Sequence, residues 1–143
     1  MCKVVAVNIS AKKGVHKVSV DVAECIVNFG IKGDAHAGNW HRQVSFLGIE
    51  SIEKMKDLGL TGLCTGKFAE NITTSGVELY TLKIGTRFKI NDVLFEVTQI
   101  GKECHKKCEI YNKIGDCVMP REGIFARVLQ GGIIKPGDSI DFC

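Results

Sequence analysis

Proline is almost missing from this chain, with two in 143 residues, and no stretch has the composition of a linker. The sequence therefore offers no obvious place to divide, and one domain spanning 1–143 is expected. No internal repeat is present either, which removes the solenoids and arrays. Long apolar runs are lacking, so no membrane span is predicted. The first ten residues, MCKVVAVNIS, hold an apolar stretch too short for a signal peptide and no small-residue cleavage pattern. Charge of one sign is also in short supply. A net charge of +3 is too small to indicate nucleic-acid binding. A cytoplasmic protein with no membrane and no nucleic-acid partner is the expectation.

Cysteine, by contrast, is plentiful. Seven is an odd number, so a complete set of internal disulfides is impossible. In a reducing compartment, clustered cysteines point to metal binding or reactive thiols rather than crosslinks. Cys25 and Cys64 stand singly among apolar residues or glycines and read as small buried hydrophobes. Cys2 and Cys143 are terminal. Only Cys104, Cys108 and Cys117 form a constellation, in GKECHKKCEIYNKIGDC from Gly101 to Cys117.

Periodicity points to strands. Val93, Phe95 and Val97 share one face of VLFEVTQI, while Glu96 and Thr98 take the other. Lys3–Ile9, Glu24–Asn28, Thr86–Ile90 and Ser139–Phe142 read the same way, separated by Gly- and Asn-rich turns. One helix is clear at about 48–58, where Ile49, Ile52 and Met55 recur at steps of three. Glu50 and Lys54 are spaced there for an i,i+4 pair. A second, weaker helical pattern covers Gly123–Leu129. The expected class is mainly β: a closed or partly closed β-barrel with one clear helix and a few short helical turns, since closure hides strand edges.

Three polar, Gly-marked segments depart from core patterning. Gly33–Ser45 carries His36, Trp40, His41 and Arg42, and fixed Arg and His donors suit an anion or a heterocycle. A metal reading of its two histidines is set aside on their spacing, His-x4-His in a loop. Gly66–Thr73 (GKFAENIT) packs Lys67, Glu70 and Asn71 together. Such groups recognise ring N–H and C=O positions, or simply set backbone geometry in a turn. In the third, Cys104 and Cys108 form C-x3-C, and His105 and Cys117 would complete four zinc ligands. Structural zinc prefers a second knuckle, which Cys117 alone does not supply. Lys102, Lys106, Lys107 and His105 favour a thiolate, the form that a soft metal or a transferable sulfur requires. Arg121 and Arg127 add cations suited to a phosphate.

Four segments, Gly33–Leu47 (GDAHAGNWHRQVSFL), Gly66–Thr73 (GKFAENIT), Val97–Cys108 (VTQIGKECHKKC) and Cys117–Val128 (CVMPREGIFARV), resemble in this order the MOSC domain. That family is named after the C-terminal domain of molybdenum cofactor sulfurases, and the likeness is to its small stand-alone bacterial members. The resemblance implies a β-barrel that binds molybdenum cofactor, a pterin dithiolene carrying a phosphate. It also implies a cysteine that ligates molybdenum or carries sulfur to metal–sulfur centres. Asn71 matches the Asn of the family's Phe-x-x-Asn-Ile segment, a cofactor contact. His41, Arg42, Lys67 and Arg121 are the implied phosphate or pterin contacts. Relatives with a C-x2-C pair use its second cysteine, so Cys108 is the implied metal-binding or sulfur-carrying residue, with Cys104 as the alternative.

Eukaryotic sulfurases make the persulfide on a separate pyridoxal-phosphate domain. No pyridoxal-phosphate site is expected here, so sulfur would come from a partner resembling a cysteine desulfurase. Molybdopterin-biosynthesis proteins or molybdoenzymes are the other implied partners. Two further functions stay open from the sequence. One is a stand-alone molybdoenzyme reducing N-hydroxylated compounds with electrons from an external donor. The other is a zinc-stabilised β-domain that binds a partner.

Overall fold

The period-two alternation that marks Val93–Ile100 is realised in full. In the computed structural model this segment is strand β8, with Val93, Phe95 and Val97 buried and the residues between them half-exposed. The structure describes residues 2–12, 17–57, 70–101 and 122–142, with the side chains of 55 and 56 excepted. Among them the chain forms β1 (Lys3–Ile9), β2 (Val18–Val20), β3 (Ala23–Ile26), β4 (Gly30–Ile31), β5 (Val44–Gly48) and α1 (Ile49–Asp57). It continues with β6 (Ile72–Ser75), a 3-10 turn at Leu79–Thr81, β7 (Arg87–Ile90), β8, β9 (Ile124–Gln130), β10 (Gly132–Ile134) and β11 (Ile140–Phe142). No helix among the described residues is long and apolar enough to cross a membrane.

Eight strands form one sheet in the order β11-β7-β8-β9-β5-β6-β1-β2, and β10-β3-β4 form a second. All pairings are antiparallel except β5 with β6. The expected closed or partly closed barrel is therefore corrected to an open sheet: β11 and β2 are its two edges, and no strand ladder joins them. The reason lies in how the edges are used. β2 takes up the outer side of β1 across Val7–Ile9. At the other end of β1, Lys3 meets Ser139 in a single isolated bridge. Val4 N–H donates to Asp138 O at 2.8 Å, Gly137 N–H to Val4 O at 2.7 Å and Ile140 N–H to Cys2 O at 3.0 Å, and these contacts are a staple rather than a strand ladder. Both edge strands are three residues long, which limits their capacity to pair with other chains.

The main core lies on one face of the large sheet. Phe46, Phe88 and Phe95 meet with centroids 5.2–5.4 Å apart, surrounded by Val4, Val7, Ile72, Ile90, Ile124 and Val128. Cys25 belongs to this core at 2% exposure. Its burial, reinforced by the charge of Glu24, pushes the thiol up to about 12.

Two local expectations are corrected. Gly123–Leu129 is not helical: Ile124, Ala126 and Val128 alternate inward on β9, which is laddered on both sides by β8 and β5. Inside the helix at Ile49–Asp57, Glu50 and Lys54 do not pair with each other. Lys54 reaches Glu122 at 3.0 Å, and Glu50 accepts the N–H of Gly76 at 2.9 Å.

Candidate anion site beside the cysteine segment

A bulge in β8 builds this site. Val97 faces Ala126, but Gln99 faces the very next residue on β9, Phe125, so Thr98 is the extra residue. An uninterrupted alternation would send Gln99 to the core side with Val93, Phe95 and Val97. The inserted residue turns it to the opposite side, which it shares with Phe125.

There Gln99 meets the segment Gly38–Gln43. Its Oε1 accepts the Nε–H of Arg42 at 3.0 Å and lies 2.9 Å from His41 Nε2. Its Nε2 donates to Gly101 O at 2.7 Å, which fixes the amide with its oxygen toward Arg42 and His41. His41 then carries its proton on Nε2. The hydroxyl of Thr98 donates to His41 O, holding the loop against the bulge. The Arg42 guanidinium lies 5.3 Å from the Phe125 ring centre and 6.0 Å from that of Trp40. Trp40 is held by its indole N–H on His36 O at 2.8 Å and remains 39% exposed. Among the described residues only the Nε–H of Arg42 is used. The remaining guanidinium N–H groups have no acceptor among the described residues.

Arg127 behaves differently. It and Arg87 converge on Glu96, at 2.6 and 3.1 Å. Loss of hydration works against the charge on Glu96, but the bonds from the two arginines outweigh it and hold the carboxyl below its usual range. Arg127 is thus engaged by a carboxylate, whereas Arg42 is engaged by a neutral amide.

Asn71 lies within a buried polar network. Its Oδ1 accepts Ser45 N–H at 2.9 Å and Ser45 Oγ at 3.1 Å, and its Nδ2 donates to Asn8 O at 3.2 Å. Thr73 Oγ1 donates to Glu70 Oε2 at 2.7 Å in the same network. The side chain of Asn71 therefore ties β1, β5 and the entry to β6 together.

A second buried cluster lies under the Gly33–Gly38 loop. Lys17 Nζ sits 2.6 Å from Asp34 Oδ1, 3.2 Å from Ser10 Oγ and 3.1 Å from His36 Nδ1. An ammonium beside Nδ1 makes that nitrogen an acceptor, so it is not open to a metal. No group of three His, Cys, Asp or Glu side chains suited to a metal ion occurs among the described residues.

Of the residues singled out from sequence, the structure brings His41 and Arg42 together on Gln99 and places Asn71 in the neighbouring network. Lys67, Cys104, Cys108 and Arg121 lie outside the described residues, as do Cys64, His105 and Cys117. The points where the cysteine-bearing segment joins the sheet are well held. Gly101 N–H donates to Gly123 O at 2.6 Å, and Glu122 accepts Ser51 Oγ at 2.6 Å as well as Lys54. Sequence reasoning missed Gln99, although a signal was present: it is polar where the alternation of β8 calls for an apolar residue.

Residues 33–141 match the family model for the MOSC domain. Among solved structures, the YUAD protein from Bacillus subtilis is similar at a TM-score of 0.81 and 20% identity, covering 99% of this chain and 96% of that one. YiiM from Geobacillus stearothermophilus has a TM-score of 0.76 at 19% identity, with 100% and 75% covered. YiiM from Escherichia coli has 0.71 at 16% identity, with 100% and 70% covered. No curated protein matches the sequence. At these identities the structural likenesses speak for the fold.

Proposed function

This chain belongs to the MOSC domain family, and on that footing we propose that it binds molybdenum cofactor or passes sulfur to a metal–sulfur centre. In this reading Arg42 and His41 receive the phosphate of the cofactor, and Cys108, or else Cys104, supplies the thiolate. One observation carries the proposal. Arg42 is held by Phe125 and Gln99 with most of its N–H groups unclaimed among the described residues, and Gln99 also binds Gly101, where the cysteine-bearing segment leaves the sheet.

The donor set fits such a group in part. A guanidinium fork set 5.3 Å from the Phe125 ring centre and 6.0 Å from that of Trp40 suits a phosphate oxygen pair. In this reading the soft ligand comes from the cysteine segment; among the described residues no group of three metal-ligating side chains occurs. When bound, the cofactor would supply the redox and oxygen- or sulfur-transfer chemistry of its metal. The chain's own residues would hold the phosphate at Arg42, keep the His41 ring oriented through Gln99, and present the thiolate.

In the sulfur-carrier form, the thiolate attacks the outer sulfur of a donor protein's persulfide. The donor S–S bond breaks, a new S–S bond forms on this chain, and the donor leaves as a thiolate. A partner resembling a cysteine desulfurase is the proposed donor.

The test compares Cys108→Ser, Cys104→Ser and Arg42→Ala after expression in a host that makes the cofactor. Molybdenum, pterin and trapped persulfide are measured on each. Cys108→Ser should abolish metal retention or persulfide formation, and Cys104→Ser should retain a measurable part. Arg42→Ala should weaken retention by about one to two orders of magnitude, the equivalent of a lost charge-assisted bond. If both serine variants lose a bound zinc and melt at lower temperature, the cysteines are structural and the proposal fails.

A further inference from the structure

We infer that Gln99 is a positioning residue that makes His41 and Arg42 a two-pronged site for a tetrahedral oxyanion, either a phosphate monoester or free phosphate. The inference deepens the function proposed above and rests on that reading for its place in the protein, but it involves neither pterin nor metal.

Three features support it. First, the Gln99 amide cannot turn over without losing its bond to Gly101 O, so its oxygen is committed to Arg42 and His41. Both side chains are thereby aimed from one atom. Second, Gln99 orients without neutralising. Glu96 does the opposite for Arg87 and Arg127, and Arg42 has no carboxylate partner among the described residues. An anion site needs uncancelled charge, which an amide preserves and a carboxylate removes. Third, the groups that remain point to the right ligand. The unclaimed N–H groups of Arg42 match two oxygens of a phosphate. With Nε2 directed at Gln99, His41 Nδ1 is left without a partner among the described residues. On a neutral ring that nitrogen accepts the P–OH hydrogen of a monohydrogen phosphate, and on an imidazolium it donates to a phosphate oxygen.

The only tryptophan in the chain, Trp40, reports on this place. It lies 6.0 Å from the Arg42 guanidinium, with its ring 5.8 Å from that of His41. Iodide is an anionic quencher and should be drawn to the same charges. Inorganic phosphate and glycerol phosphate are titrated separately, with iodide quenching of Trp40 as the signal. In the wild type, both phosphate compounds should protect Trp40. Protection by the ester at least equal to that of the free ion identifies an ester site, and protection by inorganic phosphate alone identifies a free-ion site.

Gln99→Met removes the acceptor, and protection should then need roughly tenfold more phosphate, with the circular dichroism unchanged. Gln99→Glu is the decisive variant. Its carboxylate still accepts from Arg42 and His41 but gives up the bond to Gly101 O, as Gln99→Met does too, so a loss of protection greater than that of Gln99→Met, with the circular dichroism unchanged, reports the cancelled charge. Unchanged protection in Gln99→Glu, or no protection in the wild type, overturns the inference. Gln99-dependent protection in a protein that never holds molybdenum upholds this inference and defeats the proposed cofactor function.

Discussion

Replacing Asn71 by Ala should unfold the protein at a markedly lower temperature. The substitution removes the two bonds accepted by Oδ1, from Ser45 N–H and Ser45 Oγ, and the one donated by Nδ2 to Asn8 O. Asn71 is 1% exposed, so water does not take the vacated places freely. At about 0.5–1.5 kcal/mol net for each bond, the loss is about 2–4 kcal/mol. For a domain of this size that corresponds to a fall in melting temperature of about 10 °C. Thermal denaturation followed by circular dichroism measures it.

Ser45→Ala should cost less, because the Ser45 backbone bond to Asn71 remains. The double variant should fall short of the sum of the two, since both act on the same contacts. An Asn71→Ala protein that melts with the wild type would refute the argument. If cofactor retention fell at the same time, Asn71 would be a ligand contact rather than the tie between β1 and β5.

Two further substitutions follow from buried groups. Asp34→Ala strips the partner from Lys17, whose side chain is 1% exposed, and should destabilise by about 3–5 kcal/mol in denaturant titration; Lys17→Met together with Asp34→Ala should recover part of that loss. Cys25 has its thiol raised from 9.0 to about 12 by burial and then by Glu24. Its stabilising contribution is complete below pH 9 and disappears as pH rises toward 12, because the unfolded chain loses the proton first. Between those values, wild-type stability should decline relative to Cys25→Ala by up to about 1.4 kcal/mol per pH unit. Parallel pH slopes for the two proteins would show that Cys25 is not held protonated.

The strands that were legible in the sequence are those with one wet face. Val93, Phe95 and Val97 alternate with polar residues, and Lys3–Ile9 also bears the pattern. β5 was hidden because Val44–Gly48 is buried at every position and follows a polar loop. Ile124–Gln130 misled for a related reason: Ile124, Phe125 and Val128 satisfy a helical spacing as well as a strand's, and only pairing with β5 and β8 decides. Closure into a barrel depends on partners chosen across the whole chain, and the sequence does not show that β2 claims the outer side of β1.

At the site, His41 and Arg42 stood out through their chemistry. Gln99 did not, because a bulge that re-aims one side chain leaves no composition signal beyond a polar residue out of step. The ion pair between Lys17 and Asp34 joins residues far apart in the chain, and neither is unusual alone. Asn71 could be read from sequence as a ligand contact or as a residue setting backbone geometry, and its bonds to Ser45 and Asn8, made across the fold, are not visible in the sequence.

The most direct test of the central claim is the metal and pterin content of the wild-type protein purified from a cofactor-competent host. Elemental analysis and fluorescence of the oxidised pterin should give molybdenum and pterin in equal amounts, both lost together in Cys108→Ser. Protein carrying zinc, or carrying neither metal nor pterin nor persulfide under these conditions, would contradict it.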